Sequence, residues 1–236
     1  MSGGKSNPFE SSMTDLMISL ALIFMLLLAS VLLQITHKNE MEKRQSGQTR
    51  DELIEELSKE LSRFKIETKR DDKDPLSLVI VVGEEHNNLK FESDNSTLDE
   101  KDHEFLKKII PIIMNLLYEK YQNEIDSIRI EGYTDDDGND WHNLKLSQKR
   151  ALEVLLYSLS SELSMPIEVK RFVIKTASIN GRGETPDYLV IQDGKINKDK
   201  SRRVEIKIKI KSQEQKRLEK EMNQKAQQKK SFKQGK

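Results

Sequence analysis

Cysteine is absent from the 236 residues, which excludes disulfides and thiolate metal sites and is compatible with an oxidising compartment. An excess of either charge is also missing. The 40 basic and 40 acidic side chains cancel, which argues against a general nucleic-acid binder. The four histidines, His37, His86, His103 and His142, lack ligand spacing, and neither a phosphate loop nor a G-x-S-x-G motif occurs. Asp135-Asp136-Asp137-Gly138 resembles the start of a calcium loop, but Tyr133 holds the first ligand position and Leu144 the twelfth. Neither an enzyme, a metal site nor a cofactor is therefore expected. Most telling, charge is missing altogether from the stretch between Asp15 and Lys38.

That stretch is the longest apolar run, Leu16 to Leu33. At about 1.5 Å rise per residue, a helix of this length spans most of a roughly 30 Å hydrocarbon core. Asp15 at its mouth would cost roughly 2.5–3.5 kcal/mol at the bilayer centre and less near an end. The leucines, isoleucines and valines outweigh that cost, so residues 14–36 are expected to insert and carry the acid with them. A lone carboxylate in lipid is a candidate ion or proton carrier, because it must neutralise itself or find a partner. Read more plainly, Asp15 is the N-cap of the helix, a task that Thr14, Ser12 and Ser11 are able to share. The run is too long for a signal-peptide core, and Ala-Ser-Val-Leu-Leu-Gln is a poor cleavage site, so a retained anchor is expected. Lys38, Lys43, Arg44 and Arg50 follow the run while Lys5 and Glu10 precede it, which by charge alone weakly places the C-terminal part in the cytoplasm.

Residues 1–13 read as a polar tail and residues 37–75 as a charged helical linker. Within the linker Ile54, Leu57, Leu61 and Phe64 recur at spacings of three, four and three. Such a narrow seam suits pairing with a second copy of the chain, or packing on its own domain. Pro75 ends the linker. A globular domain is expected over residues 76–212. Leu76 to Val82 reads as a buried strand, Asn87-Asn88 as a turn, and Leu89 to Phe91 as a short return. A helix opens at Thr97-Leu98-Asp99-Glu100, with Thr97 as its expected cap and the apolar face Leu106, Ile109, Ile110, Ile113, Leu116 and Leu117, and Pro111 is expected to kink it. Ile125 to Tyr133 alternates as a strand, Leu144 to Leu163 reads as a second helix, and Phe172 to Ser178 and Val204 to Ile210 read as further strands. The order βαβαββ implies an α/β (α+β) domain, a mixed sheet with two helices on one face. Residues 213–236 are basic and poor in apolar side chains, so a frayed helix or flexible tail is expected.

One stretch carries recognition chemistry: Glu131 to Val154, EGYTDDDGNDWHNLKLSQKRALEV. Asp135 ends a strand at the edge where α/β layers commonly bind ligands, and Arg150 lies on the following helix. An acid and a guanidinium at one cleft suit a zwitterion, Asp135 taking the ammonium and Arg150 the carboxylate. The plainer reading is an Asp135–Arg150 salt bridge.

Thr134, Asp135, Gly138, Asn143, Leu146, Ser147, Arg150 and Ala151 fill every place of the pattern T-D-x-x-G-x-x-x-x-N-x-x-L-S-x-x-R-A. This resembles the signature of OmpA-like, peptidoglycan-binding domains. Phe91 and Ser96, Gly181 to Pro186 and Ser201 to Ile206 extend the likeness, while Glu92, Asp94 and Ser201 depart from the usual residues. The resemblance implies that Asp135 and Arg150 hold the diaminopimelate of the cell-wall stem peptide, with Asn143 and Arg203 lining the same cleft. An OmpA-like domain behind one membrane helix that opens on an acid also resembles the MotB-like stator subunits. Thr14-Asp15-Leu16-Met17-Ile18 is similar to their A-D-F-M-T segment, which implies that Asp15 carries ions. The compact linker and the lack of a basic, Trp-containing N-terminal segment are more similar to ZorB of the Zorya anti-phage defence system than to flagellar MotB. The resemblance further implies a ring of MotA-like or ZorA-like multi-span partners, a homodimer, an inner-membrane location with a cytoplasmic N-terminus, and a periplasmic C-terminal domain.

Overall fold

The computed structural model describes residues 8–82, 89 and 91–234, and it divides into two compact units, Met1–Gln45 and Ser46–Lys236. The expected turn at Asn87-Asn88 and Lys90 of the short return lie outside the described residues.

The first unit holds the earlier part of α1 (Pro8–Leu61), the helix that contains Asp15. Its apolar stretch buries nothing within the chain: Leu16 is 72% exposed and Leu33 70%. Among the described residues this is the one helix long and apolar enough to cross a membrane. Because α1 begins at Pro8, Asp15 already lies about two turns inside it. The N-cap reading of Asp15 is thereby corrected: the backbone N–H groups that a cap would satisfy belong to residues near Pro8. Ser19 follows Asp15 by four residues on the same helix face.

In the second unit the later part of α1 joins the core. Leu53, Leu57 and Leu61 are fully buried against the same cluster as the sheet and the other helices, with Ile54 and Phe64 packed at its margin. Each such leucine contributes about 1.5–3 kcal/mol by burial. The apolar spacing that suits a two-chain seam is therefore filled within one chain. Ser46 donates to the Lys211 carbonyl at 3.3 Å, and Arg50 donates to the Pro75 carbonyl, tying this part of the helix to the sheet's end.

Five strands form the main sheet: β1 (Thr68–Arg70), β2 (Ser77–Val82), β3 (Ile125–Gly132), β4 (Ala177–Gly181) and, last in the chain, β7 (Val204–Ile210). Their order is β1-β2-β7-β3-β4, antiparallel except for the parallel β3–β4 pair. A small hairpin, β5 (Ile191–Gln192) and β6 (Lys195–Ile196), stands apart. Register places Leu78 beside Ile208, Ile80 beside Ile206, and Ile130 beside Ile206, so one face of the sheet is continuously aliphatic. Onto it pack α2 (Glu100–Tyr121), α3 (Asp140–Leu159) and α4 (Ile167–Thr176).

Local chemistry explains where these elements begin. Asp99, rather than the expected Thr97, caps α2: its carboxylate accepts the Asp102 N–H at 2.8 Å while Asp102 accepts the Asp99 N–H at 3.0 Å. Pro111 is contained within α2. The segment expected to be a strand from Phe172 is instead the end of α4, and the strand begins at Ala177. Val169 and Val173, one turn apart, bury the inner face of α4, and that period of four outcompetes the β-branched composition. Residues 213–234 form a helix, α6 (Gln213–Gln234), whose first turns are held by Gln215 on Asp126 at 2.9 Å and by Lys211 on Glu219 at 2.8 Å.

Candidate functional site

The edge of the sheet where β3 ends is built by close approach. A Cβ on Gly132 would lie 1.9 Å from the Ser147 carbonyl oxygen, and one on Gly181 2.6 Å from that of Leu144. Only glycine lets β3 and β4 run so near α3. Beyond Gly132 the chain passes through Tyr133-Thr134-Asp135 and turns at Gly138, which has φ of +104°. Asn139 then caps α3 by accepting the His142 N–H at 2.9 Å.

From α3, Asn143, Ser147 and Arg150 face this edge together, spaced four and three. Asn143 donates to the Asp137 carbonyl at 2.9 Å and to the Glu184 carboxylate at 2.6 Å, fixing the turn against the segment after β4. Ser147 accepts the Gly183 N–H at 2.9 Å. Arg150 is fully buried and donates to three backbone carbonyls, those of Asn95 at 2.9 Å, Tyr133 at 3.0 Å and Glu92 at 2.9 Å. Its guanidinium lies 5.0 Å from the centre of the Phe91 ring. Burial lowers its pKa to about 10, Asp135 and Asp94 working against that fall and Arg202 with it, so it stays charged at neutral pH.

Asp135 is 4% exposed, and its ion-pair partner is Arg202 rather than Arg150. The plain Asp135–Arg150 salt bridge is thus corrected: Arg150 is near enough to feel the acid's charge, but its donors go to carbonyls. Arg202, placed by the short helix α5 (Lys198–Ser201), also holds Asp199 and donates to the Phe91 carbonyl at 3.1 Å. Lys198 pairs with Asp137 at 2.5 Å, so the segment carrying α5 is pinned to the Asp135–Asp137 turn. The result is a buried carboxylate paired with the Arg202 guanidinium, and near enough to Arg150 to act on its charge, just beyond the C-terminal end of a strand. Such a group can take an ammonium on the acid and a carboxylate on the arginines.

Of the four residues singled out by sequence for the wall peptide, Asp135, Asn143 and Arg150 come together here. Arg203 does not. It donates to Glu205 at 2.7 Å and to the Tyr188 carbonyl at 3.0 Å, and stacks 4.2 Å over the Tyr133 ring. Consecutive residues leading into β7 alternate between faces, so Arg202 and Arg203 must part. Arg202 stands on Asp135 instead, and the alternation Arg203, Glu205, Lys207 was the signal that separates the two arginines.

Arg203 belongs to a second group, on the sheet face away from the helices. There Glu131, Tyr133, Glu205 and Lys207 are all buried. Lys207 meets Glu131 at 3.2 Å, Asp71 at 3.3 Å and Glu205 at 3.6 Å, and Arg182 meets Glu131 at 2.5 Å. Burial opposes the Glu131 charge, but the Arg182 and Tyr133 hydrogen bonds and the Lys207 charge outweigh it, holding its pKa down at about 2. Burial, with Glu205 and Glu131 alongside, pushes the Tyr133 hydroxyl far up, so it stays a donor. These groups satisfy one another, a structural use of charge.

Residues 90–188 match the OmpA family, and no curated protein matches the chain. Among solved structures, the periplasmic domain of Helicobacter pylori MotB (residues 90–256) is similar at 17% identity and a TM-score of 0.47, over 68% of this chain and 88% of that one. The cell wall anchor of the T6SS from Pseudomonas aeruginosa is similar at 18% identity and a TM-score of 0.41, over 66% and 97%. The OmpA-like domain of FopA1 from Francisella tularensis is similar at 25% identity and a TM-score of 0.36, over 58% and 75%.

Proposed function

We propose that the chain is a MotB-like stator subunit of the bacterial inner membrane, which carries ions through Asp15 and grips peptidoglycan through Asp135, Arg150 and Arg202. The observation that carries the wall-binding half is the buried Asp135 carboxylate, paired with Arg202 and acting on the Arg150 charge, in a stretch that matches the OmpA family. The diaminopimelate of a stem peptide ends in an ammonium and a carboxylate on one carbon, the pair of charges that this edge is able to meet. The ligand ammonium takes Asp135 in place of Arg202, and the released Arg202 joins Arg150 on the ligand carboxylate. Asn143 holds the turn in position.

A domain that binds the wall must lie outside the inner membrane, so residues 1–13 are cytoplasmic, residues 14–36 span the bilayer and residues 76–212 are periplasmic. This outweighs the charge count across the apolar run. The other half of the reading is supported by Asp15 lying inside α1 instead of at its end. A carboxylate held at membrane depth requires a partner, and one helix makes no channel, so two copies pair through this helix inside a ring of multi-span MotA-like or ZorA-like subunits. The compact linker favours the ZorB branch of Zorya defence over flagellar MotB. Helicase- or nuclease-type neighbouring genes support defence, and chemotaxis genes support motility.

Calorimetric titration of the full chain in detergent micelles with a diaminopimelate-containing stem peptide tests the wall site. Asp135→Asn is expected to weaken binding by about tenfold or more, the value of one charge-assisted hydrogen bond. Equal binding by the variant overturns the assignment.

A further inference from the structure

Trp141 is the only tryptophan in the chain, and it is 76% exposed. It is the second residue of α3, where the backbone is held by the Asn139 cap. Both neighbours tie it to the candidate wall site. His142 meets Asp94 at 2.6 Å, and Asp94 in turn acts on the charge of Arg150. Asp140 hydrogen-bonds Glu184, which also receives the Asn143 side chain. The indole therefore faces solvent from a helix turn whose neighbours on both sides bond to residues of the cleft, and the exposed Leu144 follows it by three residues, one helical turn on.

The groups bonded to that turn are mainly carboxylates: Asp94 on His142, and Glu184 on Asp140 and Asn143. Carboxylates accept from hydroxyl donors, and a flat aromatic face packs against the C–H face of a pyranose ring. Together they match a polyhydroxylated, uncharged ring better than an anionic or purely apolar ligand. A protein partner would favour a longer apolar strip, but the exposed Lys145, Gln148 and Lys149 separate Trp141 from Leu152 and Leu156. In peptidoglycan a stem peptide is joined to an amino-sugar, so a sugar stands beside any stem peptide seated at Asp135.

Resting on the wall-binding reading above, we propose that Trp141 is a stacking platform for the N-acetylated amino-sugar of the glycan strand, a subsite separate from the peptide grip. The single indole reports on it directly. Full-length protein in detergent micelles is titrated with the stem peptide alone and with the same peptide carrying its disaccharide, following tryptophan emission and heat. The disaccharide peptide is expected to shift the emission to the blue and to bind about threefold to tenfold tighter than the bare peptide. Trp141→Ala is expected to abolish that difference while leaving bare-peptide affinity unchanged, and Trp141→Phe to restore part of it. An unchanged emission at saturation, or a sugar preference that survives Trp141→Ala, overturns the proposal while leaving the peptide site standing. Altered self-association in Trp141→Ala with intact sugar preference makes the indole a protein contact, and also overturns it. Failure of wild type to bind either ligand removes both readings.

Discussion

Arg150 commits three N–H groups to backbone carbonyls, the bond to Tyr133 buried and those to Asn95 and Glu92 part-buried, so truncating it tests folding as much as binding. Arg150→Ala leaves the Tyr133 carbonyl unpaired at about 1–3 kcal/mol, and the two part-buried carbonyls at less. Its urea midpoint is expected to fall well below wild type, whereas Asp135→Asn is expected to keep most of its stability and lose ligand. A midpoint for Arg150→Ala equal to wild type contradicts the structural role given to this residue. Glu131 offers a pH test at the same scale. Its folded pKa of about 2 lies below the ordinary 4.5, so its charge stabilises the fold fully above that ordinary value, and the contribution is lost as pH falls toward 2. Denaturation midpoints measured between pH 5 and 2 are expected to drop steeply in wild type and less in Glu131→Gln; parallel curves contradict the network.

At the scale of elements, most of the architecture was legible in sequence because its signals are local. The aliphatic run of β2, the alternation of β7 and the one-sided face of α2 each fix an element without reference to neighbours. What was not legible depends on partners distant in sequence. Leu57 and Leu61 have the spacing of a two-chain seam, and only the fold reveals that the strands and α2 fill it. Glu205 and Lys207 read as the wet side of a strand, yet Asp71 and Glu131, brought from elsewhere, bury them. Asp135, Asn143 and Arg150 were legible through motif spacing, while Arg202 was hidden by its neighbour Arg203. Leu57→Ala is expected to cost roughly 2–5 kcal/mol. Its denaturation midpoint should not vary with protein concentration; a concentration-dependent midpoint would return Leu57 to a dimer seam. Gly132→Ala drives a methyl group into the Ser147 carbonyl and is expected to destabilise by roughly 3 kcal/mol in urea unfolding. A neutral effect would mean that α3 is free to move away from β3.

For the whole molecule, two units with different solvents follow from one sequence. Residues Leu16 to Leu33 expose their apolar side chains and are suited to lipid, while the second unit, whose residues 90–188 match the OmpA family, buries its own. In the proposed function, wall binding by residues 76–212 serves to hold the subunit still while an ion-driven ring of partners moves. The carboxyl of Asp15 is the single group in the apolar stretch able to change charge. The most direct measurement is ion flux through the chain co-reconstituted with its multi-span partner in liposomes under an imposed gradient. Asp15→Asn, assembled as well as wild type, is expected to reduce that flux to background. Flux equal to wild type would contradict the account and leave a wall tether without ion transport.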